Sequence, residues 1–477
     1  MIRTPIGSGT HDMTKETKMK RGSAGPCRKK ALASMMLAAF VAGANAAVTE
    51  QEAARLGKDL TPVGAERAAS KDGTIPEWKG GLPKAKRNIN DPRVDPYAGE
   101  KPLFSIDAAN VDRYKDKLSA GQIELLRTRK GYRMDVYPTR RSCGYPDVIL
   151  ERTRQNATHA KLTTDGKQNL AQVRGGAFPF PIPTNGAEAV WNHRLRWQGL
   201  GRLEYYQTNF INPDGSFYGL AQEQITLNPI MSTKANSPED AGDSQMKILN
   251  VAVAPPSRVG EVILAHYFLG ARTTDAWMYF PGQRRVRRLP NFDYDNPIPG
   301  YENLETADMY PMFAGALDRY DWKLVGKQDM VIPYNNFNFV AKRKMSEVYK
   351  GPYPNRDLMR YELHRVWKVE ATVKQGMRHM FAKRDFYLDE DTWMIMQADL
   401  YDAQGKLWRI MEATIYPAVE LGACVSQEFQ AWDLNVNRYL AENATQEARP
   451  TDWLAGDEGR INLKRFDSDE LRRAGER

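Results

Sequence analysis

From residue 188 onward, hydrophobic and polar positions alternate with a period of two, in long runs broken by Gly, Pro, Asn and Asp. The pattern predicts strands at 190–198, 202–211, 217–227, 245–253, 261–269, 274–280, 284–289, 321–332, 336–344, 360–374, 380–388, 393–401 and 406–417. The breaks at Gly199/Gly201, at Asn212-Pro213-Asp214-Gly215 and at Asp402-Ala403-Gln404-Gly405-Lys406 are hairpin-type turns. So many consecutive strands with so few helices between them predict a mainly β (α+β) fold. It is one large curved antiparallel sheet or incomplete β-barrel, covered by helices and long loops. In Leu363-His364-Arg365-Val366-Trp367-Lys368-Val369-Glu370, large apolar residues alternate with charged ones, which predicts one dry and one wet face.

Residues 47–187 have a different texture, helical and irregular. Thr49 to Leu56 predicts a short helix, and residues 146–157 another. Ser119 is placed to cap a helix through Lys130, with Gln122 at the capping-box position. Residues 59–103 are dense in Pro, Gly and charge and predict extended coil, docked by Trp78, Tyr97 and Phe104. Phe178-Pro179-Phe180-Pro181-Ile182-Pro183 cannot be helical and marks the boundary before the antiparallel half-barrel domain at 188–440. The charged tail, 441–477, has few anchors beyond about residue 455 and is expected to fray.

The first 46 residues change the meaning of the composition. A basic stretch (Lys20-Arg21, Arg28-Lys29-Lys30), an apolar run from Ala31 to Ala44 and the small-x-small site Ala44-Asn45-Ala46 have the three-part layout of a secretory signal, with cleavage after Ala46. Cys27 precedes the apolar run, so it cannot be the acylated cysteine of a lipoprotein. The expected product is soluble and periplasmic, because no later stretch approaches the roughly 18 apolar residues of a spanning helix. The chain carries 68 basic and 59 acidic residues, net +9. Residues 1–46 hold eight basic and two acidic residues, so only +3 remains after cleavage, and the basic balance is no argument for a nucleic-acid partner. Two cysteines remain, Cys143 and Cys424. In an oxidising compartment an even pair reads as a disulfide; the alternative is two separate buried thiols.

Catalytic motifs are missing: there is no GxSxG, HExxH, P-loop or CxxC. His159, His193, His266, His364 and His379 form no local metal pair, and the last four fall in strand-like text. Asp389-Glu390-Asp391 reads as a solvated turn, and Asp293-Tyr294-Asp295 is no better as a cation loop. No catalytic residue, metal or cofactor is expected. The informative segment is the hairpin Asp275–Leu289. Trp277 and Tyr279 share one face, and Ala276, Met278 and Phe280 the other. Pro281-Gly282 predicts a type II turn, and the return strand carries Arg284, Arg285, Arg287 and Arg288. Trp277, Met278, Tyr279 and Phe280 are the candidate ligand-binding residues. The arginines are either a rim meeting anionic head groups or an acidic partner protein, or the charged protection of an edge strand.

The Trp-Met-Tyr-Phe-Pro-Gly-Gln-Arg-Arg-Val-Arg-Arg text resembles a W-x-Y-x-P…R-R-V-R-R signature of Gram-negative periplasmic proteins described as outer-membrane lipoprotein-sorting-like. Gly176–Pro183 with Trp191-Asn192-His193, Tyr301–Tyr310 and Gly315–Trp322 extend the resemblance to the family called domain of unknown function 1329, over about residues 50–440. The resemblance implies a fold like the lipoprotein-sorting carriers and no enzymatic activity. It implies a soluble carrier or chaperone for a lipid, acyl chain or other hydrophobic molecule, with an inner-membrane transporter and an outer-membrane protein as neighbours. The alternative is an accessory or scaffold protein docking the one to the other.

Overall fold

The computed structural model describes residues 48–270, 274–290 and 292–476. The expected export signal, with its cleavage site and Cys27, lies outside the described residues.

The alternating pattern becomes strands almost where it predicts them. Two short strands, β1 (Phe104–Ile106) and β2 (Met134–Val136), are followed by a separate small ladder, β3 (Lys161–Leu162) with β4 (Leu170–Gln172). The long strands then come as β5 (Gly201–Ile211), β6 (Phe217–Leu227), β7 (Ser244–Ala254), β8 (Val262–Phe268), β9 (Asp275–Phe280), β10 (Arg285–Arg288), β11 (Tyr320–Pro333) and β12 (Tyr361–Val373). The last five are β13 (Lys383–Asp389), β14 (Ile395–Tyr401), β15 (Leu407–Ala418), β16 (Ala423–Asp433) and β17 (Arg438–Ala444). All but β3 and β4 join one 15-stranded sheet. β11 to β17 form one antiparallel meander and β5 to β10 another; they meet where β17 pairs with β5. β11 and β10 lie at opposite ends, so the sheet is open and does not close into a barrel.

The helices are α1 (Glu50–Ala53), α2 (Val111–Tyr114), α3 (Ala120–Thr128), α4 (Asp147–His159), α5 (Gly186–Arg194), α6 (Phe337–Val340), α7 (Met345–Val348) and α8 (Leu471–Gly475). α3 starts with the expected capping box: Ser119 Oγ accepts from the Gln122 backbone N–H at 3.1 Å, and Gln122 Oε1 accepts from the Ser119 N–H at 3.0 Å. No helix among the described residues is long and apolar enough to cross a membrane.

Several expectations are corrected. Residues 190–198 are not a strand; α5 and a following coil occupy them, because Asn185 caps a helix by accepting from the Glu188 N–H at 3.0 Å. Residues 336–344 hold the short α6, not a strand. β16 and β17 have no counterpart in the sequence reading. The charged positions of β12 are not wet: Glu362, His364 and Arg365 are buried, Arg365 under residues 66–68 and Glu390 of the β13–β14 turn, and Glu362 against Asn335, Arg360 and His364. Of the expected anchors of the 59–103 coil, Trp78 is buried and donates from Nε1 to the Cys143 carbonyl at 2.9 Å, whereas Phe104 is exposed and stacks on Tyr114.

The two cysteines are joined: Cys143 and Cys424, 281 residues apart in sequence, form a disulfide with Cα atoms 5.3 Å apart. It ties the N-terminal region to β16.

The two faces of β5–β9 bury different partners. On the inner face Phe210, Leu220, Met246, Ile248, Ala252, Tyr267 and Ala276 pack against residues 292–317, α5 and the rest of the main core. On the outer face Ile225, Leu249, Val251, Val262, Leu264 and Tyr279 pack against Ala455, Ile461, Phe466, Leu471 and Ala474. The C-terminal tail is therefore not frayed. It covers the outer face, and Ala455, Ile461, Phe466, Leu471 and Ala474, although sparse in sequence, are buried against it, while Leu463 is exposed.

If the tail is part of the fold, Leu471→Ala should destabilise the protein by about 2–5 kcal/mol, the usual cost of truncating a fully buried leucine. Chemical denaturation measures it; a change within experimental error would restore the frayed-tail expectation.

Candidate functional site

The inner face of the sheet is neither hollow nor uniformly apolar. Residues 292–317 lie along it, an aromatic-rich segment whose Tyr301, Leu304, Met309, Tyr310 and Phe313 are buried in the core. Its backbone is anchored by side chains from the sheet. Arg409 on β15 donates from Nη1 to the Leu304 carbonyl at 3.1 Å and from Nη2 to the Asn303 carbonyl. Arg194 on α5 donates to the Gly315 carbonyl at 3.1 Å. Asp308 is the strongest anchor. It pairs with Arg384 of β13, His379 Nε2 sits 3.0 Å from its Oδ2, and Thr306 donates to it at 2.7 Å. Burial alone would raise the Asp308 carboxyl, but the Arg384 charge and the His379 hydrogen bond outweigh it and hold it at about 2.

Beneath this segment the sheet contributes polar residues. Thr208 donates to Glu442 at 2.5 Å, and the Tyr301 hydroxyl donates to Glu442 Oε1 at 3.2 Å. The Gln224 amide donates to Glu204 at 2.6 Å and to the Tyr310 hydroxyl at 3.0 Å. Burial pushes Glu442 up to about 8. Glu305 on the covering segment is raised by burial and by the neighbouring Glu442, and neither of its oxygens has a hydrogen-bond partner.

The covering segment stops short of one end of the inner face. There, at Pro299–Glu302, a cleft of about 500 Å³ is left open. Its lining is Phe210, Tyr218 and Leu220 from β5–β6, Met278 and Phe280 from β9, and Pro255, Arg258, Glu261, Pro299, Gly300 and Glu302 from two loops. Phe210 and Tyr218 stack with ring centres 4.9 Å apart. Each carboxylate at the mouth has an internal partner. Glu261 is held by Arg258 at 2.7 Å, and Glu302 by Arg438 at 2.8 Å and by the Tyr218 hydroxyl. Gly300, at φ +80°, lets the loop approach Arg258, which donates to its carbonyl at 3.2 Å; a Cβ there would lie 2.4 Å from the guanidinium.

The hairpin residues separate by face, as strand alternation requires. Met278 and Phe280 line the cleft. Tyr279 is buried on the outer face under α8, and Trp277 meets His266 edge-to-face at 5.3 Å. Trp277 and Val286 line a second cleft of about 380 Å³ with Ser468, Asp469, Arg472 and Arg473. The structure thus divides the four candidate ligand residues between two faces and joins each pair with residues the sequence reading did not single out. The turn also differs: Pro281–Gln283 form a 3₁₀ turn and Arg284, at φ +50°, takes the left-handed position, so the loop has four residues and is not the expected two-residue type II turn. Arg284, Arg285, Arg287 and Arg288 are exposed, and Arg288 pairs with Asp275.

The other expected groups have structural partners. His193 lies in α5, not in a strand. Its Nδ1 accepts from the Ile395 N–H at 3.0 Å and its Nε2 lies 3.1 Å from the Pro311 carbonyl, so the ring is held neutral, and burial lowers its pKa well below the ordinary value. His159 ends α4, and His379 precedes β13. Asp389-Glu390-Asp391 is buried, not solvated: Arg141 grips Asp391 at 2.6 and 2.8 Å, and Arg365 and Lys327 hold Glu390 at 2.6 and 3.0 Å. His364, Asp389 and Asp391 place one ligand-type atom each within 4.8 Å of one another. The bidentate Arg141 already supplies the counter-charge a cation would bring.

Residues 105–472 match the family described as "Protein of unknown function (DUF1329)", and the chain belongs to that family. The uncharacterized protein PA3922 of Pseudomonas aeruginosa is 43% identical over 404 residues, covering 83% of this chain and 88% of that protein. Among solved structures, a putative outer membrane lipoprotein-sorting protein domain from Vibrio parahaemolyticus aligns with TM-score 0.41 and 14% identity over 60% of this chain and 98% of its own. A DUF1329 family protein from Desulfovibrio piger aligns with TM-score 0.40 and 14% identity over 57% and 92%. The LolA superfamily protein NE2245 from Nitrosomonas europaea aligns with TM-score 0.33 and 12% identity over 54% and 90%.

The buried carboxyl Glu442 sets a pH dependence. It is protonated in the fold at pH values where the unfolded chain ionises it. Its contribution is therefore fully present below the ordinary carboxylate range and lost as pH rises through about 8. Glu442→Gln should flatten that slope, raising the Tm at pH 8 relative to the parent while leaving the Tm at pH 5 nearly unchanged. Thermal unfolding across that range measures it; parallel pH profiles for the two proteins would count against the assignment.

Proposed function

We propose that this protein is a periplasmic carrier that holds a lipid, an acyl chain or another hydrophobic molecule in the cleft at the open end of the inner face. The observation that carries this reading is the cleft itself. It has an apolar floor of Phe210, Leu220, Met278, Phe280, Pro255 and Pro299 in a volume of about 500 Å³, inside the roughly 300–1,000 Å³ typical of small-molecule sites. The basic-apolar-small layout of residues 1–46 and the Cys143–Cys424 disulfide support a periplasmic setting.

Magnitudes fit transient holding. Burying about eight methylenes recovers roughly 6 kcal/mol, which corresponds to a Kd of about tens of micromolar before ordering costs. A site of that strength can take a chain from a membrane and give it up again. Residues 292–317 pack on the inner face, and the cleft of about 500 Å³ beside them suits a single chain or a small amphiphile.

Dodecanol should displace a fluorescent reporter, phenylnaphthylamine, from the purified protein, and Phe280→Asp should weaken both ligands at least about tenfold, or about 1.4 kcal/mol. Phe280 is only partly buried, so circular dichroism should report an unchanged fold. A parent protein that binds neither compound, and carries no extractable amphiphile from the periplasm, would rule the carrier out.

A further inference from the structure

We infer that the cleft selects anionic amphiphiles: a chain for the apolar floor and a phosphate or carboxylate head for an arginine rim. This rests on the carrier reading above and adds the chemical class of the cargo.

The strand register carries the inference. In the β9–β10 ladder Arg285 stands opposite Phe280 and Arg287 opposite Met278, whereas Val286 stands opposite Tyr279 and Arg288 opposite Trp277. Directly opposed residues project to the same face of a sheet, with Cβ atoms about 4.5–5.5 Å apart. Arg285 and Arg287 therefore emerge beside the two β9 residues that line the cleft, and Arg288 does not. The Arg287 guanidinium lies 5.9 Å from the centre of the Phe280 ring.

The charge balance is uneven in the same direction. Glu261 and Glu302 at the cleft are each held by an arginine of their own, and Arg288 on the opposite face is paired with Asp275. Arg284 and Arg285 have no carboxylate partner among the described residues, and Arg287 reaches only the Gln283 side-chain oxygen, at 2.8 Å. Arg285 and Arg287, on the cleft side of the ladder, have no carboxylate partner among the described residues, which is the complement of an anionic head on a hydrocarbon chain. Guanidinium forks suit phosphate and carboxylate oxygens. Charge whose role was only to guard the β10 edge would serve equally well on either face.

Isothermal titration calorimetry of the full exported chain, with ligands below their micellar concentrations, tests this. Dodecyl phosphate should bind at least tenfold more tightly than dodecanol or dodecyltrimethylammonium at low salt. That advantage should shrink severalfold in 0.5 M NaCl. Inorganic phosphate alone should not bind measurably, which separates an amphiphile site from a free-anion site. Arg285→Glu with Arg287→Glu should abolish the preference while leaving dodecanol binding intact, and Arg288→Glu should leave both intact. Equal binding of dodecyl phosphate and dodecanol by the parent, or a preference that survives the double substitution, overturns the inference while leaving the carrier standing. Loss of binding to every chain compound overturns both.

Discussion

The Asp308–Arg384 pair is the contact on which the interior depends. Two charges buried this deeply lose several kcal/mol of hydration each, and they persist only where geometry and extra hydrogen bonds repay it. Here Thr306 and His379 complete the carboxylate, and Tyr320, with the rings of Phe313 and Phe381, surrounds the guanidinium. The pair joins the covering segment 292–317 to β13. Without it, one charge would be left buried and unmatched, and the aromatic side chains that complete the core would lose their alignment with the sheet.

That segment also decides where the inner face stays open. A wide open sheet offers a long inner face, but most of it is occupied by the protein's own chain and by a network of glutamates, glutamines and tyrosines. A cleft of about 500 Å³ remains at Pro299–Glu302. The cleft owes its size to the length of the insertion, and its polarity to which strand ends border it. Met278 and Phe280 of its floor come from the same hairpin that carries Arg285 and Arg287 on the opposed strand.

Much of this was legible in the sequence, for identifiable reasons. Eleven strands follow from two-residue alternation, and α3 from the Ser119–Gln122 box. The split of the hairpin into Met278/Phe280 and Trp277/Tyr279 faces follows from parity alone. The errors share a cause. Alternation of apolar with charged residues was taken to mean a wet face, yet β12 and the Asp389–Asp391 turn are covered by distant segments that bring Arg141 and Lys327 to meet them. β16 was missed because Gln427, Glu428 and Gln430 hide its pattern although all are buried. α5 could have been found from Asn185 and Glu188, which have the spacing of a helix start. The covering role of 292–317 has no periodic signature; its only signal was an unusual density of Tyr, Phe and Met in a stretch without secondary structure.

The pairing of β17 with β5 has a consequence for how the molecule comes into being. Ile211 lies opposite Tyr439 and Phe210 opposite Leu440, so the two meanders are sewn together by residues far apart in the chain. Contacts so distant in sequence form slowly. Until the last strand arrives, β5 and β16 each present a long bare edge able to recruit a neighbouring molecule. A polypeptide emerging in order from its amino end would pass through that sticky half-built state on every round of synthesis. Its yield in the cell should therefore respond to holding factors that shield strand edges far more than the stability of the finished protein would imply.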